Sequence, residues 1–349
     1  VAKCRLWIGL GALGLLALTL LIGTNAGGST NWIRIGPLSV QPSEFVKIAF
    51  IFVGTSTLDR LQTKKNIGEF LIFTGACIGL LALMPDFGMA LILFATFLII
   101  AFMRSGSVRT IALVLAGAVL AVFVVLTVKP YVLDRFMGWG HVWEHINDNL
   151  GYSQTRTLTY LASGGLFGRG VGNGWLKNVG AANTDLVFGV IAEEMGLILA
   201  VCCVIAILLL ALFAVKEAAT ARSSFYVIAA CSTAMIFVVQ VMLNVFGSTD
   251  LLPLTGVTFP FVSCGGSSMI SCWALLAYIK ASDTRQNSAL AVKLPKRVRH
   301  RRGDDLPPEP PQDTGSAMED TGPVIPQDGP LYTDADDWQR YFKWEDDDE

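Results

Sequence analysis

In a chain of 349 residues, 53% are hydrophobic and only 15% are charged, which excludes an ordinary soluble domain. The formal charge of −2 conceals a division: residues 304–349 hold 15 acidic and 2 basic residues, whereas the preceding 303 hold 24 basic and 13 acidic. None of the 7 cysteines has zinc-ligand spacing and residues 129–185 hold none, which argues against a disulfide framework, and no feature points to nucleic acid.

Eight apolar runs predict membrane-spanning helices, for which about 20 residues suffice. They cover roughly 6–23, 44–58, 67–84, 88–103, 109–128, 186–214, 224–246 and 267–281. The runs 44–58 and 267–281 are short and must tilt little or borrow flanking residues. Within residues 1–303, Lys and Arg number 17 on the side that holds Lys3 and Arg5, against 6 on the other, with Lys47 inside a span. Basic loops stay inside, so both termini are expected to be cytoplasmic and the large loop 129–185 extracellular. The predicted fold is an all-α polytopic membrane protein with a disordered cytoplasmic tail.

In chain order, the first chemical motif is Gln41-Pro-Ser-Glu-Phe-Val-Lys47. Pro42 suits a first helical turn, where its missing N–H costs nothing. Glu44 then meets the positive end of the helix dipole, and Lys47, three residues on, shares its face. The pair reads either as a neutralised lysine behind a helix start or as a functional site. Met84-Pro-Asp-Phe-Gly88 follows between two spans, and its Asp86 reads as turn chemistry.

The loop 129–185 has two parts. In the first, His141 and His145 have the spacing of two metal ligands on a helix, but no third ligand is evident. An interfacial segment built on Trp139 and Trp143 is the stronger reading. The second part contains Ser163-Gly-Gly-Leu-Phe-Gly-Arg-Gly-Val-Gly-Asn-Gly174. No strand precedes it, so it is not a dinucleotide loop. Its backbone N–H groups are expected either to cradle phosphate, aided by Arg169 and Lys177, or to form a plain flexible loop.

Asp185, Glu193 and Glu194 lie at the edge of the next span, which is read as one apolar run from Leu186 to Val215. Carboxylates at membrane depth cost roughly 2.5–3.5 kcal/mol on insertion scales, so a chain that keeps them is expected to use them. Asp185 is either the N-cap of this span or a functional carboxylate at its edge. Residues 251–268 are apolar but broken by Pro253, Gly256, Pro260, Gly265 and Gly266. Non-helical backbone at this depth survives only inside protein or beside a wet cavity, which predicts a re-entrant loop. Domain limits follow: a membrane body 1–285, a polybasic segment 286–303 and an acidic disordered tail 304–349. The basic run 293–302 is expected to lie on anionic lipids.

Five motifs in order resemble the SEDS family of shape, elongation, division and sporulation proteins (RodA, FtsW, SpoVE). They are Gln-Pro-Ser-Glu-x-x-Lys at 41–47, Pro-Asp-x-Gly at 85–88, Ser-Gly-Gly-Leu at 163–166, Thr-Asp and Glu-Glu-x-Gly at 184–196, and Pro-Phe-Val-Ser-x-Gly-Gly-Ser-Ser at 260–268. Cys264 stands where a tyrosine is usual, and Asn183 where a histidine is common. Members usually carry ten spans. The resemblance implies a peptidoglycan glycosyltransferase that polymerises lipid II on the outer face of the bacterial cytoplasmic membrane, beside a class B penicillin-binding protein. It places the family's essential loop aspartate at Asp185 and its conserved pair at Glu44 and Lys47. Lipid II carries an α-linked diphosphate and the product is β-linked, so the transfer inverts and needs one base, for which Asp185 is the candidate. Glu44, Lys47, Arg156, Arg169, Lys177, Ser263, Gly265 and Gly266 are the expected substrate-binding residues. No cofactor is required by this reading, although a divalent cation is compatible with it. A lipid II flippase, or a scaffold that positions a transpeptidase, are the alternatives.

Overall fold

The structure, a computed structural model, describes residues 2–26, 29–36, 38–58, 64–106, 112, 114–116, 139–147, 151–219, 221 and 223–282. The predicted span 109–128 lies outside them, apart from helical residues 112 and 114–116, as do the polybasic segment and the acidic tail.

Helix α1 (Ala2–Ile22) leads into three short antiparallel strands, β1 (Thr24–Ala26), β2 (Ser29–Ile35) and β3 (Leu38–Val40), in the order β1-β2-β3. The sheet is an addition to the all-helical expectation. Its register pairs Thr24 with Trp32 and Ile33 with Val40. Thr30, Trp32 and Ile33 favour the pleated backbone, and Gly36 reverses the chain at φ +61, where a side chain would be strained.

Helix α2 (Pro42–Leu58) begins at Pro42, as predicted, with Glu44 in its first turn. Helices α3 (Lys64–Leu83) and α4 (Phe87–Ser105) follow. Phe50 of α2 packs against Phe70 and Phe73 of α3 with ring centroids at 5.5 and 5.6 Å, and Phe70 against Phe97 of α4 at 5.5 Å. Gly54 makes this packing possible, because a Cβ there would lie 2.7 Å from the Phe70 ring. Asp86 caps α4 by accepting the Met89 N–H at 3.2 Å.

The loop 129–185 contains a helix that its glycine content hides: α5 (Tyr152–Gly164). A 3-10 turn at Leu176–Asn178 precedes α6 (Val187–Glu194), α7 (Leu197–Ala218), α8 (Ser224–Ser248) and α9 (Gly266–Ser282). The apolar run expected to be one span from residue 186 is therefore two helices. The break lies at Gly196, with φ +95, where a Cβ would sit 2.3 Å from the Leu166 carbonyl. The chain at 165–166 pairs with the start of α7 through Leu197 N–H to Gly165 O at 3.0 Å, and this contact takes the place of a continuous helix.

Among the described residues, Cys4–Ile22, Phe87–Ser105, Leu197–Ala218 and Ser224–Ser248 are long and apolar enough to cross a membrane. Helices α1 and α7 turn Leu6, Trp7, Leu21, Ile198, Leu209 and Leu212 outward. In a bilayer that is the favourable face, since lipid solvates apolar side chains. Helix α8 is the buried one, packed against α2, α4, α7 and α9. Residues 251–265 between α8 and α9 are non-helical, in keeping with the prediction of broken backbone there.

Candidate active site

Asp185 ends a tight turn in which its N–H donates to Ala181 O at 2.9 Å and Ala181 takes a positive φ of 60°. It does not cap the following helix: the N-cap of α6 is Leu186, without a side-chain cap bond, which removes the capping reading. The carbonyls of three successive residues are each taken by a donor from elsewhere. Asn183 O accepts the Cys264 N–H at 2.9 Å, Thr184 O accepts the Ser263 hydroxyl at 2.6 Å, and Asp185 O accepts the Asn244 Nδ2–H at 3.0 Å. Ser263 also accepts the Phe259 N–H at 2.8 Å, so it links the broken segment to the Asp185 turn. Gly265 donates to Ser263 O at 2.9 Å, and Gly266 opens α9.

Burial pushes the Asp185 carboxyl up to about 6, the nearby Asp86 charge adds to this, and a hydrogen bond from the Thr184 hydroxyl opposes it. Asp86, expected to serve the turn, does so by capping α4 and also gathers donors that the turn reading did not include. Its Oδ2 accepts from Asn31 Nδ2 at 3.1 Å, Gln41 Nε2 at 3.2 Å and the Ser43 hydroxyl at 3.3 Å. Burial outweighs these neutral donors and raises its pKa as well. Residues 255–257 lie against both Gly88 and the Asp185 carboxyl. A Cβ at Gly88, two residues after Asp86, would lie 2.5 Å from the Val257 side chain, and one at Gly256 would lie 3.4 Å from Asp185 Oδ2. The signal for Asp86 was present in Gln41 and Ser43, whose polar side chains flank Pro42 and point to a shared acceptor.

Glu44 and Lys47 pair as expected, with Nζ 2.5 Å from Oε2. Lys47 also donates to Gln240 Oε1 of α8 at 3.3 Å, and Ser271 of α9 donates to Glu44 at 2.7 Å. Lys47 is wholly buried, at 0% exposure, so the pair joins α2, α8 and α9 rather than facing an open surface. The start of α9 continues the polar path towards the acids. The Ser268 and Thr258 hydroxyls lie 2.6 Å apart, and the Gln41 N–H donates to Ser267 at 3.3 Å.

The glycine loop has a different basis from the anion cradle considered above. Glu193 accepts the N–H groups of Trp175 at 2.8 Å and Leu176 at 2.9 Å, while Glu194 accepts those of Gly172 at 2.9 Å and Gly174 at 3.2 Å. A Cβ at Gly174 would lie 2.7 Å from the Glu194 side chain. These amides are occupied, so the loop is fastened to the end of α6 and its glycines allow close approach. Lys177 folds back onto Gly172 O, and Arg169 and Lys177 lie exposed. Arg156, half-buried on α5, stacks its guanidinium 5.3 Å from the Tyr152 ring centroid. Residues 139–147 form successive turns rather than a helix, so His141 and His145 lack the face that metal spacing required. The Gly140 N–H of that segment donates to Asp250 at 3.2 Å. No cluster of three metal-ligating side chains occurs among the described residues.

A helical membrane body with a half-buried acid at a loop–helix boundary, a second acid behind it and a sealed Glu–Lys pair between helices defines a polytopic membrane protein with a candidate acid–base site. The particular family follows from comparison. Residues 1–287 match the FtsW/RodA/SpoVE family of cell cycle proteins, and the chain belongs to that family. It is 32% identical over 290 residues to a protein of Coxiella burnetii named "Probable peptidoglycan glycosyltransferase FtsW", covering 78% of this chain and 76% of that one. It is 34% identical over 296 residues to the same-named protein of Tolumonas auensis, covering 80% and 76%. Among solved structures, it resembles a chain from work on the "structural coordination of polymerization and crosslinking by a peptidoglycan synthase complex", with 26% identity, a TM-score of 0.65, and coverage of 81% of this chain and 82% of that one. It shares its fold with the rod shape determining protein RodA of Thermus thermophilus, at 24% identity, a TM-score of 0.58, and 81% and 79% coverage.

Proposed function

We propose that this chain is a peptidoglycan glycosyltransferase of the bacterial cytoplasmic membrane in which Asp185 is the general base. The observation that carries the base assignment is the half-buried Asp185 carboxyl, held on a turn with three successive carbonyls fixed and its pKa raised to about 6. A base of that strength is ionised at neutral pH and still takes a proton, which suits a role worth typically 10²–10⁴-fold.

In the step, Asp185 takes the proton from the 4-hydroxyl of the acceptor sugar. The oxygen attacks the anomeric carbon of the donor from the face opposite its diphosphate, the β-1,4 bond forms, and the bond to the diphosphate oxygen breaks with its electron pair leaving on the lipid diphosphate. Among the described residues, exposed Arg169 and Lys177 and half-buried Arg156 are the loop cations available for that leaving group. The substrate is lipid II, and both termini are placed in the cytoplasm by the positive-inside count. A class B penicillin-binding protein is the partner that the family relationship suggests, and residues 293–302 supply charge for anionic lipids.

A flippase requires charges along a path through the membrane. Glu193 and Glu194 are instead bound to loop amides, and Glu44 with Lys47 is a closed pair, which favours the polymerase. The test is polymerisation of labelled lipid II by the full chain with its cognate partner in vesicles. Asp185→Asn should abolish glycan strands while leaving expression unchanged. Strands formed at the normal rate by that variant would remove the base assignment. Transbilayer movement of lipid II with no glycan product would remove the polymerase.

A further inference from the structure

Asn244 has no place in the proposed chemistry, yet it is almost wholly buried, at 1% exposure, near the end of α8. Its Nδ2 carries two N–H groups and lies 3.0 Å from Asp185 O and 2.8 Å from Val257 O, with Thr184 O at 3.5 Å. One amide therefore ties the turn that ends in Asp185 to the segment 255–258. That segment is the one whose Gly256 abuts the Asp185 carboxyl, and whose Thr255 and Val257 abut the Asp86 turn at Gly88. Ser263 makes a second tie to the same turn, through Thr184 O at 2.6 Å. Helix α8 is packed against α2, α4, α7 and α9, so a side chain fixed on it is a firm reference point.

We propose that Asn244, with Ser263 as its second arm, is the positioning residue that sets the Asp185 carboxylate in its working place. The inference rests on the reading of Asp185 as the base. Few side chains can replace it. Leucine is close in size but donates nothing. Aspartate has the same shape but would bring acceptor oxygens against three carbonyls, and glutamine donates from one carbon further out. Residues 254–263 carry no charged side chain, and Asp86 is the charged group that acts on the Asp185 carboxyl. Losing the Asn244 bridge frees the turn and admits water to the carboxyl.

Misplacement of a catalytic group by about 1 Å can cost about 100-fold. With the full chain and its cognate partner turning over lipid II, Asn244→Leu and Asn244→Asp should lower kcat about 100-fold, with KM within about twofold. The acid limb of the pH–rate profile should move to lower pH, because a wetter Asp185 titrates nearer the ordinary carboxylate range. Ser263→Ala should lower kcat about tenfold and Ser263→Thr, which keeps the hydroxyl, should restore it. The Ser263 pair serves as the test if the Asn244 variants do not fold. Wild-type kcat in Asn244→Leu, or in Ser263→Ala should the former not fold, overturns the inference. So does a loss of folded protein with kcat per folded molecule and the acid limb unchanged. Asp185→Asn is run beside them. If it is inactive while the Asn244 and Ser263 variants are normal, only this inference fails; if it is active, the base reading itself fails.

Discussion

A carboxyl group that takes a proton from a sugar hydroxyl works best when its own pKa lies close below the working pH. Asp185 is raised towards that range by burial first and by Asp86 second. Activity should therefore fall as pH drops through about 6, and Asp86→Asn, by removing the like charge, should move that limb to lower pH. A pH series of kcat/KM on the two proteins measures this, and an unchanged limb would show that Asp86 is silent. Stability has the opposite sign. A raised folded-state pKa means that the protonated form favours folding, so this contribution is present below the ordinary value of 3.8 and is lost as pH rises through about 6. Asp185→Asn should thus melt no lower than the parent at pH 7–8, with any advantage gone in acid. At this scale the sequence was readable where a motif named a single side chain, as for Asp185. It was not readable where function depends on what converges. Asp86 lies 43 to 55 residues from Asn31, Gln41 and Ser43, and Asn244 lies 59 and 60 residues from Asp185 and Thr184, relations that no local pattern encodes.

The elements around the site depend on the end of α6. Glu193 is buried and both its oxygens accept a backbone N–H, at 2.8 and 2.9 Å, whereas Glu194 is half-buried. Glutamine at 193 would turn an NH₂ group against one of those donors and leave a buried amide unsatisfied, at a cost of about 1–3 kcal/mol. Glu193→Gln should therefore lower Tm and abolish hydrogen-exchange protection at Trp175 and Leu176. Glu194→Gln should loosen only Gly172 and Gly174. Equal effects at both positions would show that burial does not decide the matter. Helix periods were legible in the long runs, so α1, α4 and α8 fall where the apolar pattern put them. The division of α6 from α7 was hidden, because Met195 and Gly196 interrupt no apolar pattern. The break arises from backbone contact with Gly165 and Leu166, each 32 residues upstream of the α7 amide that donates to it. Helix α5 was hidden for the opposite reason: its sequence is polar and sits among glycines, yet Gln154 fixes it to α8 through Gly247 O at 2.8 Å.

For the whole bundle, the Glu44–Lys47 pair is the joint between α2, α8 and α9, and its two possible roles make different demands. The i, i+3 spacing showed that the two could meet. It did not show that Gln240 and Ser271 would close over them, because those residues arrive from helices about 200 residues away. Removing one partner of a buried ion pair leaves an uncompensated charge, at about 3–5 kcal/mol, while removing both is often close to neutral. Lys47→Met alone should therefore destabilise the protein strongly, and the double variant Glu44→Gln with Lys47→Met should recover most of the lost Tm. Activity then separates the roles. If the pair only joins helices, turnover of lipid II recovers together with stability. If Lys47 holds the diphosphate, the stable double variant stays inactive and its affinity for lipid II is lost. The sealed position of Lys47, away from any open surface, favours the first result, with turnover within about threefold of the parent, well inside the 1.4 kcal/mol that a tenfold change represents. A stable double variant with normal folding and no lipid II binding would instead require this joint to open during the catalytic cycle.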